Sequence, residues 1–128
     1  MALAIRQLQK HFVGEVSGLD LRQPLTPAQA REVEAAIDQY AVLVFHDQNI
    51  TDEQQLAFAL NFGERENAHG GTIVKKDEYR LTTGLNDVSN LGKDGKPLAR
   101  DSRAHLFNLG NCLWHSDSSF RAIPAKYS

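Results

Sequence analysis

The stretch Gly110-Asn111-Cys112-Leu113-Trp114-His115-Ser116-Asp117-Ser118-Ser119-Phe120 decides how this chain is read. His115 and Asp117 stand two positions apart, and on a β-strand such residues project to the same face. A strand here presents an imidazole nitrogen and a carboxylate oxygen side by side. Trp114 and Ser116 then face the opposite way, where the indole can pack into a hydrophobic layer. Ser119 returns to the ligand face if the strand continues. Cys112 points away and reads as a packed small apolar residue, not a nucleophile.

Imidazole and carboxylate are both metal donors. Two such ligands and one distant histidine make the 2-His-1-carboxylate facial triad, which holds one face of an octahedral Fe(II) and leaves the other open. A 2-oxo acid can chelate through two of the open positions and O2 can take the third. Zinc hydrolases use the same donor types, usually with three protein ligands and one water. A bare His-x-Asp pair also arises often by chance, as a simple hydrogen-bonded pair. On these residues alone, three readings stand: an iron half-site, a zinc-dependent hydrolase, and a non-catalytic binding module. Of the other histidines, His46 ends an apolar strand and reads as a hydrogen-bonded core residue. His11 and His105 read as surface or structural residues.

Upstream, helix signals occur twice. Thr26 is a good N-cap, Pro27 suits the first helical position and Gln29 completes a capping box. Val33, Ile37 and Tyr40 recur at helical spacing, so a helix is expected from about Pro27 to Gln39. Ala41-Val42-Leu43-Val44-Phe45 is a short apolar run that reads as a buried strand. Thr51 with Gln54 starts a second helix, with Leu56, Ala59 and Leu60 as its inner stripe and Gly63 at its end. Residues Ile5 to Leu21, punctuated by Gly14 and Gly18, suggest short strands and turns. Thr72-Ile73-Val74 and Tyr79-Arg80-Leu81-Thr82-Thr83 look like further strands. Asp94-Gly95 is a turn dipeptide between Val88-Ser89-Asn90-Leu91 and Ala104-His105-Leu106-Phe107, which suggests a hairpin or a long loop. The polar run from Asn86 to Arg103 carries Lys93, Lys96, Arg100 and Arg103. It is either a solvated loop or a lid that attracts an anionic substrate.

Composition sets the class. The 128 residues are 41% hydrophobic and 23% charged, with net charge −2 and one cysteine. These values suit one globular domain and exclude a global basic field for nucleic acid. No apolar run approaches the ~20 residues of a membrane span, and Met1 to Arg6 has no signal-peptide pattern. A cytoplasmic location is expected, without nucleic-acid or membrane partners. No Gly-x-Gly-x-x-Gly follows a strand candidate, which argues against a dinucleotide-binding dehydrogenase. Residues 1–128 are expected to be the N-terminal portion of a single domain in a longer protein.

Asn111-Cys112-Leu113-Trp114-His115-Ser116-Asp117-Ser118-Ser119-Phe120 resembles the metal-binding segment of the taurine dioxygenase and 2,4-dichlorophenoxyacetate dioxygenase family. Three more segments carry the likeness: Gly18-Leu19-Asp20-Leu21, the strand Val42 to Phe45 running into His46-Asp47-Gln48, and Thr51 to Gly63 with its Thr-x-Glu-Gln start and Phe-Gly end. The version with Trp-His-x-Asp-x-Ser-Phe is closer to the phenoxyacetate branch.

The resemblance implies a fold that is α+β and mainly β: a distorted double-stranded β-helix, or jelly roll, with flanking N-terminal helices, incomplete in this chain. It implies Fe(II) as metal and 2-oxoglutarate as co-substrate, with His115 and Asp117 as the first two iron ligands. Asn111 matches a substrate-contacting position, His69 a substrate-facing histidine after the Phe-Gly element, and Ser119 can line the same pocket. The third iron ligand and an arginine for 2-oxoglutarate are expected downstream of Ser128, where a bidentate guanidinium suits a buried carboxylate. The implied reaction hydroxylates a small anionic molecule with O2, releasing succinate and CO2. An aryloxyalkanoate such as 2,4-dichlorophenoxyacetate is the expected substrate. Self-association stays open, and the 128 residues alone are expected to be inactive.

Overall fold

A computed structural model describes residues 3–66, 80–81 and 84–128. The chain divides into two compact units, Met1–Glu64 and Arg65–Ser128.

The first unit is built on a three-stranded sheet in the order β1 (Ala4–Gln7), β2 (Gly14–Ser17), β3 (Leu43–Phe45). β1 and β2 are antiparallel, with Ile5 opposite Val16; β2 and β3 are parallel, with Val16 opposite Phe45. A parallel neighbour requires a crossover, and helix α1 (Pro27–Tyr40) supplies it. The capping box forms as its sequence implies. The Thr26 hydroxyl accepts from the Gln29 N–H at 3.3 Å, and Gln29 Oε1 accepts from the Thr26 N–H at 2.8 Å. The helix runs to Tyr40, and Ala41 closes it in the left-handed region at φ 60°, its N–H bonded to the Ile37 carbonyl. Among the described residues, Val16, Leu21, Val33 and Ala36 are the buried apolar side chains.

The strand after α1 is only half-buried, and Val42 is exposed. Thr51 caps α2 (Asp52–Ala59) by a second capping box, and a 3-10 turn over Leu60–Phe62 carries the chain to Gly63 at φ 137°. The expected inner stripe of α2 is corrected. Ala59 and Leu60 are exposed, and Phe58 points inward instead. Its ring meets Phe45 at 5.8 Å and Phe62 at 5.2 Å, both edge-on. Tightening to a 3-10 turn after Ala59 rotates the last residues off the helical face, and the larger aromatic surface takes the packed position.

Two sequence segments far apart meet through one side chain. Gln48 Oε1 accepts from the Leu21 N–H at 2.8 Å, and its Nε2 donates to the carbonyls of Leu19 (3.2 Å) and His46 (3.0 Å). Gln48 thus satisfies backbone groups of both segments, which explains why a glutamine follows the strand there. His46 is not a core residue: it is exposed and its Nε2 lies 3.0 Å from Glu15 Oε1. Glu15 also accepts from Arg6 at 2.8 Å, and that hydrogen bond is the main cause holding its carboxyl below the usual range.

In the second unit, Asp94-Gly95 does make a tight turn. Gly95 sits at φ 74°, the Gly92 N–H donates to the Lys96 carbonyl at 2.8 Å, and Leu91 pairs with Pro97. The returning arm ends there. Ala104-His105-Leu106-Phe107 is not a strand but part of helix α3 (Arg103–Asn108). The Ser102 hydroxyl accepts from the His105 N–H at 3.2 Å and so caps the helix start, which diverts the chain from the ladder. Asn108 Nδ2 donates to the Ser89 carbonyl at 2.5 Å, tying α3 to the loop before the turn. Arg80 grips Asp87 through two 2.8 Å bonds. The strand expected over Thr72–Val74 lies outside the described residues, as does most of the one over Tyr79–Thr83.

Candidate metal centre

The 3-10 turn after α3, Leu109–Cys112, delivers the chain to Leu113 in extended conformation. Residues 114–116 are irregular and 117–120 form a turn, so His115 and Asp117 do not lie on a strand. A strand needs a neighbour for its backbone groups, and among the described residues no strand pairs with this segment. Trp114 is fully exposed at 106%, so the expected packing behind the pair is not seen. Cys112 is exposed too, rather than packed.

The two donors nevertheless face each other: His115 Nε2 lies 3.1 Å from Asp117 Oδ1. The other ring nitrogen, Nδ1, is 2.7 Å from the Leu113 carbonyl. A carbonyl only accepts, so Nδ1 carries a proton. The Asp117 carboxylate also only accepts, so in the protonated ring Nε2 donates to it, and Nε2 is the nitrogen whose lone pair a metal ion would take once that proton leaves. This is the usual way a ligating histidine is oriented, by an outer partner on its second nitrogen. The same Leu113 carbonyl, with Asp117 behind it, holds the His115 imidazolium above its ordinary range. A proton and a metal ion compete for Nε2, so metal uptake at this pair is favoured as pH rises.

Directly after Asp117 comes a contact that the sequence did not announce. Ser118, at φ 54°, donates from Oγ to Glu66 Oε2 at 2.5 Å. Glu66 Oε1 also pairs with Arg121, and the Arg121 N–H closes the turn on the Ser118 carbonyl at 2.9 Å. Glu66 stands 52 residues from Ser118, and no motif or periodicity connects them. Asn111 is exposed on the preceding 3-10 turn; Ser119 is exposed, its hydroxyl turned back on the Ser116 carbonyl at 3.4 Å. His69 lies outside the described residues.

The donor set fits a hard or borderline divalent ion at two coordination positions: one imidazole nitrogen with a fixed tautomer and one carboxylate oxygen. Among the described residues, no group of three His, Cys, Asp or Glu side chains converges. Two donors alone would leave the remaining positions of such an ion to other ligands. Comparison with known proteins gives the chain a family. Residues 4–128 match the model of the taurine catabolism dioxygenase TauD, TfdA family, and the chain belongs to it.

Within that family, the chain is 41% identical over its whole length to an alpha-ketoglutarate-dependent 2,4-dichlorophenoxyacetate dioxygenase of Burkholderia sp. strain RASC. It is 32% identical over 127 residues to the (S)-phenoxypropionate/alpha-ketoglutarate-dioxygenase of Sphingobium herbicidovorans. It covers 43% and 38% of those two proteins, so the chain spans less than half the length of the curated relatives it matches. Among solved structures, AAD-2 in complex with Mn(II) and N-oxalylglycine superposes with a TM-score of 0.89 at 80% identity. That match covers 98% of this chain and 44% of AAD-2. No helix among the described residues is long and apolar enough to cross a membrane.

Proposed function

We propose that the protein, at its natural length, is an Fe(II)- and 2-oxoglutarate-dependent dioxygenase. It hydroxylates a small anionic substrate, an aryloxyalkanoate such as 2,4-dichlorophenoxyacetate. The observation that carries this reading is the pairing of His115 Nε2 with Asp117 Oδ1 at 3.1 Å, with Nδ1 committed to the Leu113 carbonyl. Membership of the family and the names of the relatives support the co-substrate and the substrate class. The domain this chain belongs to is a jelly roll, and residues 1–128 form its N-terminal portion.

In this reading His115 and Asp117 hold the metal, which when bound supplies the O2-activating redox chemistry that couples 2-oxoglutarate decarboxylation to C–H oxidation. The protein's part is orientation. The Leu113 carbonyl keeps the His115 proton on Nδ1, and the Asp117 carboxylate contributes a fixed negative charge beside Nε2. Asn111 and Ser119, one on each side of the pair in sequence, are assigned to the substrate side, together with His69. The balance is one C–H, one O2 and one 2-oxoglutarate giving one C–OH, one succinate and one CO2. On an aryloxyacetate, hydroxylation beside the ether oxygen gives a hemiacetal that collapses to the phenol and glyoxylate.

The test is turnover by the natural-length protein with Fe(II), ascorbate and 2-oxoglutarate. Succinate and 2,4-dichlorophenol should form together from 2,4-dichlorophenoxyacetate. His115→Ala and Asp117→Ala should abolish both. Succinate without phenol would move the substrate to another anion. A protein that retains zinc and ignores 2-oxoglutarate would refute the reading and return the pair to a hydrolase.

A further inference from the structure

His115 and Asp117 sit in a loop, without a strand ladder to hold them. Something else must set the Asp117 carboxylate 3.1 Å from His115 Nε2. The histidine is anchored by its own Nδ1 on the Leu113 carbonyl. The aspartate has a different support. The residue after it, Ser118, is in the left-handed region at φ 54°, a conformation that side chains other than glycine adopt only when their surroundings impose it. Its hydroxyl is bonded to Glu66 Oε2, and the other oxygen of the same carboxylate holds Arg121 at the far end of the turn. The Arg121 N–H then returns to the Ser118 carbonyl at 2.9 Å. One carboxylate therefore grips both ends of the four-residue turn that follows the metal-facing aspartate. Both Glu66 and Arg121 are largely shielded, with side-chain exposures of 26% and 24%, so the ion pair is less screened than a surface pair.

We propose that Glu66, acting through Ser118 and Arg121, is a positioning residue for the Asp117 ligand. The inference rests on the reading of His115 and Asp117 as metal ligands. Glu66 touches neither the metal nor the substrate; its effect is to restrict the rotation of the turn on which Asp117 is carried. A ligand held in place loses less freedom when the ion arrives, and outer partners of this kind typically change metal affinity by about 10- to 100-fold.

The test is Mn(II) binding to the natural-length protein, followed by the EPR signal of the free ion without 2-oxoglutarate or turnover. Glu66→Gln keeps an acceptor for Ser118 but loses the charge that holds Arg121. Ser118→Ala removes only the hydroxyl. Each should weaken Mn(II) binding about tenfold, with Glu66→Ala weaker still. The urea midpoint of the metal-free protein should stay close to that of the parent for Glu66→Gln and Ser118→Ala. Mn(II) affinity indistinguishable from the parent in both variants overturns the proposal. So does a lowered midpoint with unchanged affinity, which would make the contact structural only. Asp117→Ala separates the two levels of the argument. If it leaves Mn(II) binding intact, the metal site itself is wrong. If it abolishes binding while the Glu66 and Ser118 variants retain it, only the positioning role fails.

Discussion

Gly14 offers the most direct test of how the first unit is assembled. It is buried in the central strand, paired with Gln7 on one side and Leu43 on the other. Its backbone is in an ordinary extended region, so alanine meets no conformational penalty there. The obstacle is space. A Cβ on Gly14 would stand 3.0 Å from Ile5 Cγ2, 3.0 Å from Tyr40 Cγ and 3.1 Å from Tyr40 Cδ2. Ordinary carbon contacts are about 3.5–4.0 Å, so the neighbours must retreat by roughly half an ångström. Ile5 Cγ2 is bonded directly to its Cβ, and Tyr40 Cγ is the root of its ring. Each gives way only by turning its side chain about χ1 out of its packed position or by moving β1 or the end of α1. Overpacking of this kind costs about 1–3 kcal/mol, and the smaller entropy of the unfolded alanine chain returns about 0.4–1. Gly14→Ala should therefore destabilise by about 1–2 kcal/mol, read as a lower urea midpoint by far-UV circular dichroism. Ile5→Ala removes one of the two obstacles, so its cost should be smaller in the Gly14→Ala background by about 0.5 kcal/mol or more. A Gly14→Ala protein as stable as the parent, with no coupling to Ile5, would refute the packing described here.

Other expectations follow from the same structure. Thr26→Ala and Thr51→Ala should each cost about 1 kcal/mol in urea unfolding, because each removes the side-chain half of a capping box. Asp87 is held below its ordinary carboxyl range, first by its hydrogen bond from Arg80. A depressed folded-state pKa contributes stability that is present above the unfolded carboxyl range and is lost as pH falls through the folded value. Arg80→Met should therefore destabilise by up to about 1 kcal/mol at pH 7, and the difference from the parent should shrink toward pH 3. The 128-residue chain produced alone should yield no substrate-coupled succinate, since His115 and Asp117 supply only two protein donors. Succinate from that chain, dependent on added aryloxyacetate, would contradict the two-donor account.

Local chemistry was legible in the sequence because it is written in adjacent residues. Thr26 with Gln29, Thr51 with Gln54, the apolar run into Phe45 and Asp94-Gly95 each act within a few positions. Both helix starts and the turn form where those residues imply, while the strand is confined to Leu43–Phe45 and only half-buried. The expected membership of the dioxygenase family likewise rests on short contiguous segments, and the family match runs over residues 4–128. Periodicity was less informative near element ends. At the end of α2, Phe58 rather than Ala59 and Leu60 takes the inner face, because Phe45 and Phe62 offer it aromatic edges.

The opening stretch shows the division most clearly. Two-residue spacing brought His115 and Asp117 together in prospect by strand geometry, but the residues meet in a loop and turn. Their proximity comes from hydrogen bonds instead: the Leu113 carbonyl fixes the imidazole, and Glu66 holds the turn behind Asp117. The sequence by itself determined the donor types, their spacing and the caps, since these are properties of neighbouring residues. Only the tertiary structure decided the tautomer of His115, the inward face of α2 and the part played by Glu66. The last two depend on Phe45 and Glu66, partners that folding brings close through space; the first depends on how the Leu113 carbonyl, two residues away, is turned, which the residue types alone do not record.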